Sequence, residues 1–140
     1  MFRTKKKSEL RNVSSEALAA LQRNFNVAEL AELLSLSTAA TITAGQPLAT
    51  QDRLGREVVV IVSGTASVLR DGQQIAQVGP GDIIGEMSIL TGELRNASVV
   101  ANETISAYVL SAREFTSLLD REPALHNKIA VNAVKRLAAK

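Results

Sequence analysis

The sequence predicts a mainly β protein with flanking helices, of α+β type: an eight-stranded antiparallel β-roll, or jelly roll, with N-terminal helices before it and C-terminal helices after it. Three observations carry this. Glycines at 45, 55, 64, 72, 79, 81, 85 and 92 cut the middle of the chain into short pieces. The pieces between them are rich in β-branched residues, as in Glu57-Val58-Val59-Val60-Ile61-Val62 and Thr104-Ile105-Ser106-Ala107-Tyr108-Val109-Leu110, and short strands separated by turn residues belong to sandwiches and barrels. Both ends instead repeat apolar residues at helical spacing.

Each element has a local reason. Residues 1–12 form a basic N-terminus, with Arg3, Lys5, Lys6, Lys7 and Arg11 against Glu9 alone; a short charged terminus of this kind is expected to be flexible. It could also touch nucleic acid, anionic lipid or an acidic partner. Helices are expected over 14–36, because Ser14 and Ser15 precede Glu16-Ala17-Leu18-Ala19-Ala20-Leu21 and Asn26-Val27-Ala28-Glu29 has the form of a capping box. The β-roll spans 39–110, with Asp71-Gly72 as a hairpin turn. C-terminal helices span 111–139: Ser111-Ala112-Arg113-Glu114 is a second capping box, and Pro123 suits a first helical turn. The last helix would turn Leu125, Ile129, Ala130, Ala133, Val134 and Leu137 to one side. Either the flank of the roll or the same helix of a second copy could cover that stripe.

Composition sets the outer limits. At 140 residues the chain suits one domain, 13–140, with a real core. It has no cysteine, which excludes disulfides and thiolate metal sites. No apolar run approaches the roughly 20 residues of a membrane span, and the charged N-terminus lacks a following apolar segment, so an unexported, cytoplasmic protein without a transmembrane segment is expected. With three phenylalanines, one tyrosine and no tryptophan, little is available to stack on single-stranded nucleic acid.

The chemistry concentrates in residues 85–98, Gly85-Glu86-Met87-Ser88-Ile89-Leu90-Thr91-Gly92-Glu93-Leu94-Arg95-Asn96-Ala97-Ser98. Gly85 lets the backbone come close to a ligand, and a one-turn helix after it can aim free N–H groups at one spot, which favours an anion. Arg95 can return to that spot with a forked, permanently charged donor. Glu86 would repel phosphate, so its expected role is accepting hydrogen bonds from neutral hydroxyls such as those of ribose.

This segment resembles the phosphate-binding cassette of the cyclic nucleotide-binding domain family, whose pattern runs Phe-Gly-Glu-small-Ala-Leu and then, after variable residues, Arg-x-Ala-Thr or Ser. Here it reads Ile84-Gly85-Glu86-Met87-Ser88-Ile89 and Arg95-Asn96-Ala97-Ser98, and Ala44-Gly45, Ile61-Val62-Ser63-Gly64-Thr65-Ala66 and Gly79-Pro80-Gly81-Asp82 agree with the same family. The resemblance covers about residues 25–140. It implies a short cassette helix and phosphate contacts from Arg95, with the backbone N–H groups of Ser88, Asn96 and Ala97. It further implies that Gly85 and Glu86 hold the ribose 2′-hydroxyl, and that Asn96, Ile129, Asn132 and Leu137 are the candidates for base or lid contacts. No aromatic residue follows Phe115, so an aliphatic or amide lid is expected. In this family threonine after the cassette arginine goes with guanine and alanine with adenine; Asn96 fits neither habit, and cyclic AMP is favoured over cyclic GMP as the commoner ligand.

The expected function is therefore a non-catalytic sensor of a 3′,5′-cyclic nucleotide. No other cofactor and no metal are expected, since one histidine, His126, and no cysteine argue against a metal site. Gly79-Pro80-Gly81-Asp82-Ile83-Ile84-Gly85 is a poor dinucleotide fingerprint, lacking alternating strands and helices around it. No DNA-binding or other output domain is expected, so the expected output is a C-terminal helix rearrangement read by a protein partner, or a homodimer through the last helix. Two alternatives stand beside this: an interaction or scaffold module that keeps the fold without the ligand, and a cupin-like enzyme.

Overall fold

A computed structural model describes residues 6–7 and 13–138, with side chains for 13–131. Of the basic N-terminus, Lys6 and Lys7 form a short strand, β1 (Lys6–Lys7), antiparallel to β2 (Thr38–Ile42) with Lys6 opposite Ala39; the rest of 1–12 lies outside the described residues. Between these strands come α1 (Ser15–Asn24) and α2 (Val27–Leu36). Ser14 Oγ accepts from the Ala17 N–H at 3.0 Å. Asn26 and Glu29 exchange the two hydrogen bonds of the expected capping box, both 2.8 Å.

The roll follows as β3 (Pro47–Ala49), β4 (Glu57–Ser63), β5 (Ala66–Arg70), β6 (Gln73–Val78), β7 (Ile83–Ile84), a short helix α3 (Glu86–Thr91), β8 (Ser98–Ala101) and β9 (Ile105–Ser111). The chain ends in α4 (Ala112–Arg121) and α5 (Pro123–Ala138). All strand pairings are antiparallel, in one sheet of order β1-β2-β9-β4-β7 and another of order β3-β8-β5-β6. The eight strands β2–β9 match the expected number. Asp71 and Gly72 join β5 to β6 with φ of 52° and 81°, the left-handed pair that a type I′ hairpin requires.

The five-stranded sheet is covered on both faces, which explains the unbroken apolar run of β4. Val59 and Ile61 face the interior of the roll with Ile42, Val99 and Ile105. Val58, Val60 and Val62 point the other way and pack with Leu21, Phe25, Leu33, Phe115 and Leu118 of the helices. A strand buried on both faces loses the alternation that a half-exposed one shows. Each such side chain contributes about 1.5–3 kcal/mol on burial. The β6 edge strand is the opposite case, exposed along nearly its whole length.

Leu125 and Ile129 of α5 join the helix-side core, so the molecule's own flank covers that part of the stripe. Ala130 is half-buried, while the side chains of Ala133, Val134 and Leu137 lie outside the described residues. Lys128 ties α5 to the first helices: its Nζ donates to Glu29 Oε1 at 2.6 Å and to the Asn24 carbonyl at 3.2 Å.

Candidate functional site

Arg95 follows α3 by a few residues and folds back onto its start. Gly85 caps the helix in the left-handed region, with φ of 91°, where an L side chain is strained. Space gives a second reason for glycine there. A Cβ at Gly85 would overlap the Arg95 guanidinium and approach the Glu57 carbonyl oxygen, and one at Gly55 would crowd Ser88 and the same guanidinium. Two bare backbones thus form the slot that holds the arginine. Its Nη2 donates to the Glu57 carbonyl at 2.9 Å.

The electrostatics of that slot are uneven. Burial pushes the Arg95 guanidinium below its ordinary pKa, while the charges of Glu57 and Glu86 act in the opposite direction. Glu86, in the first turn of α3, is 3% exposed. A buried carboxylate thus acts on a half-buried guanidinium, whose fork can make charge-assisted hydrogen bonds to an anion.

Ser88 has a structural duty. Its hydroxyl, in a residue 5% exposed, donates to the Glu93 carbonyl at 2.5 Å and accepts from the Gly55 N–H at 2.8 Å. These bonds fasten α3 to the segment between β3 and β4. That segment also pairs with the chain around Arg95: the Arg95 N–H donates to the Arg53 carbonyl, the Asp52 N–H donates to the Arg95 carbonyl, both at 2.8 Å, and Leu54 bridges Leu94. Asn96 is exposed and its carbonyl accepts from Arg70 Nε at 3.1 Å, whereas Ala97, just before β8, is buried.

A pocket of about 530 Å³ opens over this junction, lined by Pro47, Leu48, Ala49 and Thr50, by Arg53, Leu54, Arg56 and Glu57, and by Arg95. Four apolar residues, Pro47, Leu48, Ala49 and Leu54, share this lining with five polar or charged ones, three of them arginines, a mixture that suits an organic anion. Close approaches at Gly85 and Gly55 bring these glycines, Ser88 and Arg95 together, with Glu86 acting on Arg95 from the first turn of α3; of these Arg95 lines the pocket, and Ala97 is placed beside them only by its position two residues after Arg95. Ile129 is not part of this group: at 4% exposure it packs into the helix-side core and borders a separate cleft of about 300 Å³ with Asn24, Ile83 and Lys128. Asn132 and Leu137 belong to the α5 backbone, but their side chains lie outside the described residues. Sequence reasoning passed over Arg53 and Arg56; the signal was their closeness, three residues apart, in a region where acids outnumber bases.

Among the described residues no three histidine or acidic side chains are placed to hold a metal ion, and no described helix is long and apolar enough to cross a membrane.

Comparison with known proteins agrees with this geometry. A cyclic nucleotide-binding domain from Methylobacillus flagellatus superposes with a TM-score of 0.76 at 28% identity, over 98% of this chain and 82% of that one. The cyclic AMP receptor protein of Thermus thermophilus is 33% identical over 98 residues, 66% of this chain and 45% of the relative. A cyclic nucleotide-gated potassium channel of Mesorhizobium japonicum is 28% identical over 130 residues, 93% of this chain and 36% of the channel. The chain thus spans less than half the length of either curated relative. The profile of the cyclic nucleotide-binding domain matches residues 40–122, from the middle of β2 past the end of α4, and so takes in the Arg95 slot and all of β3–β9; the chain belongs to the cyclic nucleotide-binding domain family.

Proposed function

We propose that this chain is a non-catalytic sensor whose Arg95 pocket binds the cyclic phosphodiester of a 3′,5′-cyclic nucleotide, with cyclic AMP favoured over cyclic GMP. The observation that carries the reading is the seat of Arg95: the guanidinium lies against Gly85 at the start of α3, held by the Glu57 carbonyl and close to the charge of buried Glu86. A phosphate entering there meets a cation whose charge is only partly hydrated. The N–H groups of the first turn of α3, Ser88 among them, lack intrahelical acceptors and add further donors. Those of Asn96 and Ala97 complete the phosphate contacts. Glu86, with the Gly85 backbone, takes the ribose 2′-hydroxyl, and Asn96 stands nearest in sequence for the base.

The output follows from how α5 is held. Leu125 and Ile129 lie in the core and Lys128 is bonded to α1 and α2 residues, so a ligand-driven shift of the roll against its helices changes the surface offered to a protein partner or to a second copy.

Isothermal titration calorimetry with cyclic AMP, cyclic GMP and the cyclic pyrimidine nucleotides tests the binding. Charge-assisted hydrogen bonds contribute about 1.5–3 kcal/mol each, so Arg95→Ala is expected to weaken binding at least about tenfold. Unchanged affinity would remove Arg95 from the site. If no cyclic nucleotide binds the wild-type protein or raises its melting temperature, the fold serves instead as an interaction module.

A further inference from the structure

Between residues 12 and 111 the chain has five basic side chains against ten acidic ones, and three of the five line a single pocket. The other two are engaged elsewhere: Arg23 Nη2 reaches the Pro80 carbonyl at 3.4 Å, and Arg70 Nε donates to Asn96. Arg53 and Arg56, exposed like Arg23, differ from both in their bonding. Their guanidiniums make no hydrogen bond or ion pair among the described residues.

Their position is built into the backbone. The Arg53 carbonyl accepts from the Arg95 N–H at 2.8 Å, next to the Leu54–Leu94 bridge, and the Arg56 carbonyl accepts from the Ala112 N–H at 3.0 Å. Arg53 and Arg95 therefore stand across from each other on paired segments. Like charges so placed repel and destabilise the pairing. An anion between them reverses the sign of that effect. Among the described residues Glu57 is the one acid lining the pocket, and together with Glu86 it acts on Arg95. A single phosphate seated on Arg95 accordingly leaves the exposed guanidiniums of Arg53 and Arg56 open to a second anion.

We infer that Arg53 and Arg56 form a second anion subsite beside Arg95, and that the pocket prefers a nucleotide bearing a second ionised phosphate to cyclic AMP itself. The inference rests on the reading of the Arg95 pocket as a nucleotide site and refines which nucleotide it selects. The half-buried Arg95 takes one phosphate at the α3 turn, the exposed pair takes the other at the rim, and the apolar wall of Pro47, Leu48 and Ala49 lies alongside the sugar and base. Arginine suits the rim because its fork grips two phosphate oxygens at once. The second phosphate has two chemical sources: a second phosphodiester in a larger ring, or a phosphomonoester on a single nucleoside.

Calorimetric titration of the full chain with cyclic AMP, cyclic di-AMP and adenosine 3′,5′-bisphosphate separates them. At least one two-phosphate probe is expected to bind about tenfold or more tighter than cyclic AMP, and whichever does identifies the source. The ratio is expected to fall toward one in the Arg53→Gln, Arg56→Gln double variant. The affinity of the preferred probe also falls more steeply with salt than that of cyclic AMP. Cyclic AMP binding as tightly as both two-phosphate probes, or a preference that survives in the double variant, overturns this inference and leaves the nucleotide site standing. Failure of all three probes to bind overturns the inference, and the nucleotide reading falls with it when cyclic GMP and the cyclic pyrimidine nucleotides also fail to bind.

Discussion

Arg95 occupies its slot because two neighbouring residues have no side chain. Gly85→Ala adds a methyl where the guanidinium and the Glu57 carbonyl already sit, at a φ of 91°. The left-handed backbone alone costs roughly 1–2 kcal/mol for an L residue, and relief of the overlap moves Arg95. Urea unfolding is expected to show a loss of at least that size, and calorimetry a weaker cyclic nucleotide affinity; an unperturbed affinity would mean that the position of the guanidinium does not govern binding. Ser88→Ala tests a different role. Its hydroxyl joins the Gly55 N–H to the Glu93 carbonyl, and removing it leaves both groups short of a partner, at a cost of about 1–3 kcal/mol by the same unfolding measurement. Arg95→Lys keeps the charge but loses the planar fork, so it is expected to restore only part of the affinity lost in Arg95→Ala.

Helix ends and inter-helix ties decide stability at the next scale. Ser111 Oγ accepts from the Glu114 N–H at 3.1 Å and Glu114 Oε1 accepts from the Ser111 N–H at 2.8 Å, so the chain leaves β9 and enters α4 with its first donors satisfied. Ser111→Ala should therefore cost about 1 kcal/mol in chemical denaturation. Glu29 is a sharper case. It is fully buried in α2, and Lys128 of α5 supplies the opposite charge from a half-exposed position. Lys128→Met leaves that carboxylate without its cation. Loss of one partner of a buried pair costs about 3–5 kcal/mol, but solvent around the Lys128 ammonium reduces this to about 1–3 kcal/mol. Glu29→Gln in the Lys128→Met background is expected to recover part of the loss; recovery of none would show that packing rather than charge holds α5 against α2.

At the scale of the molecule, the site and the helices share β4. One face of that strand looks into the roll and the other carries α1, α4 and α5 by way of Val58, Val60 and Val62, while Glu57 at its start holds Arg95. On the proposed reading, a ligand held by Arg95 would act on the helix layer through this one strand. Hydrogen exchange with saturating cyclic AMP is expected to change protection in residues 111–138 as well as in 85–97; change confined to the cassette would exclude the helices from the response. The sequence by itself determined the two helical ends, the short strands and the carboxylate-helix-arginine order of residues 85–98, because capping pairs, glycine turns and β-branched runs act over a few neighbouring residues. It also carried the motif that identifies the family. Only the tertiary structure decided that Ser88 serves as a clamp, that Ile129 belongs to the helix-side core, and that Arg53 and Arg56 face the Arg95 pocket. Those facts depend on which of two faces a segment buries and on pairings across about forty residues of chain, such as Arg53 with Arg95. No local pattern encodes them, since they arise when sheets and helices compete to cover the same apolar surface.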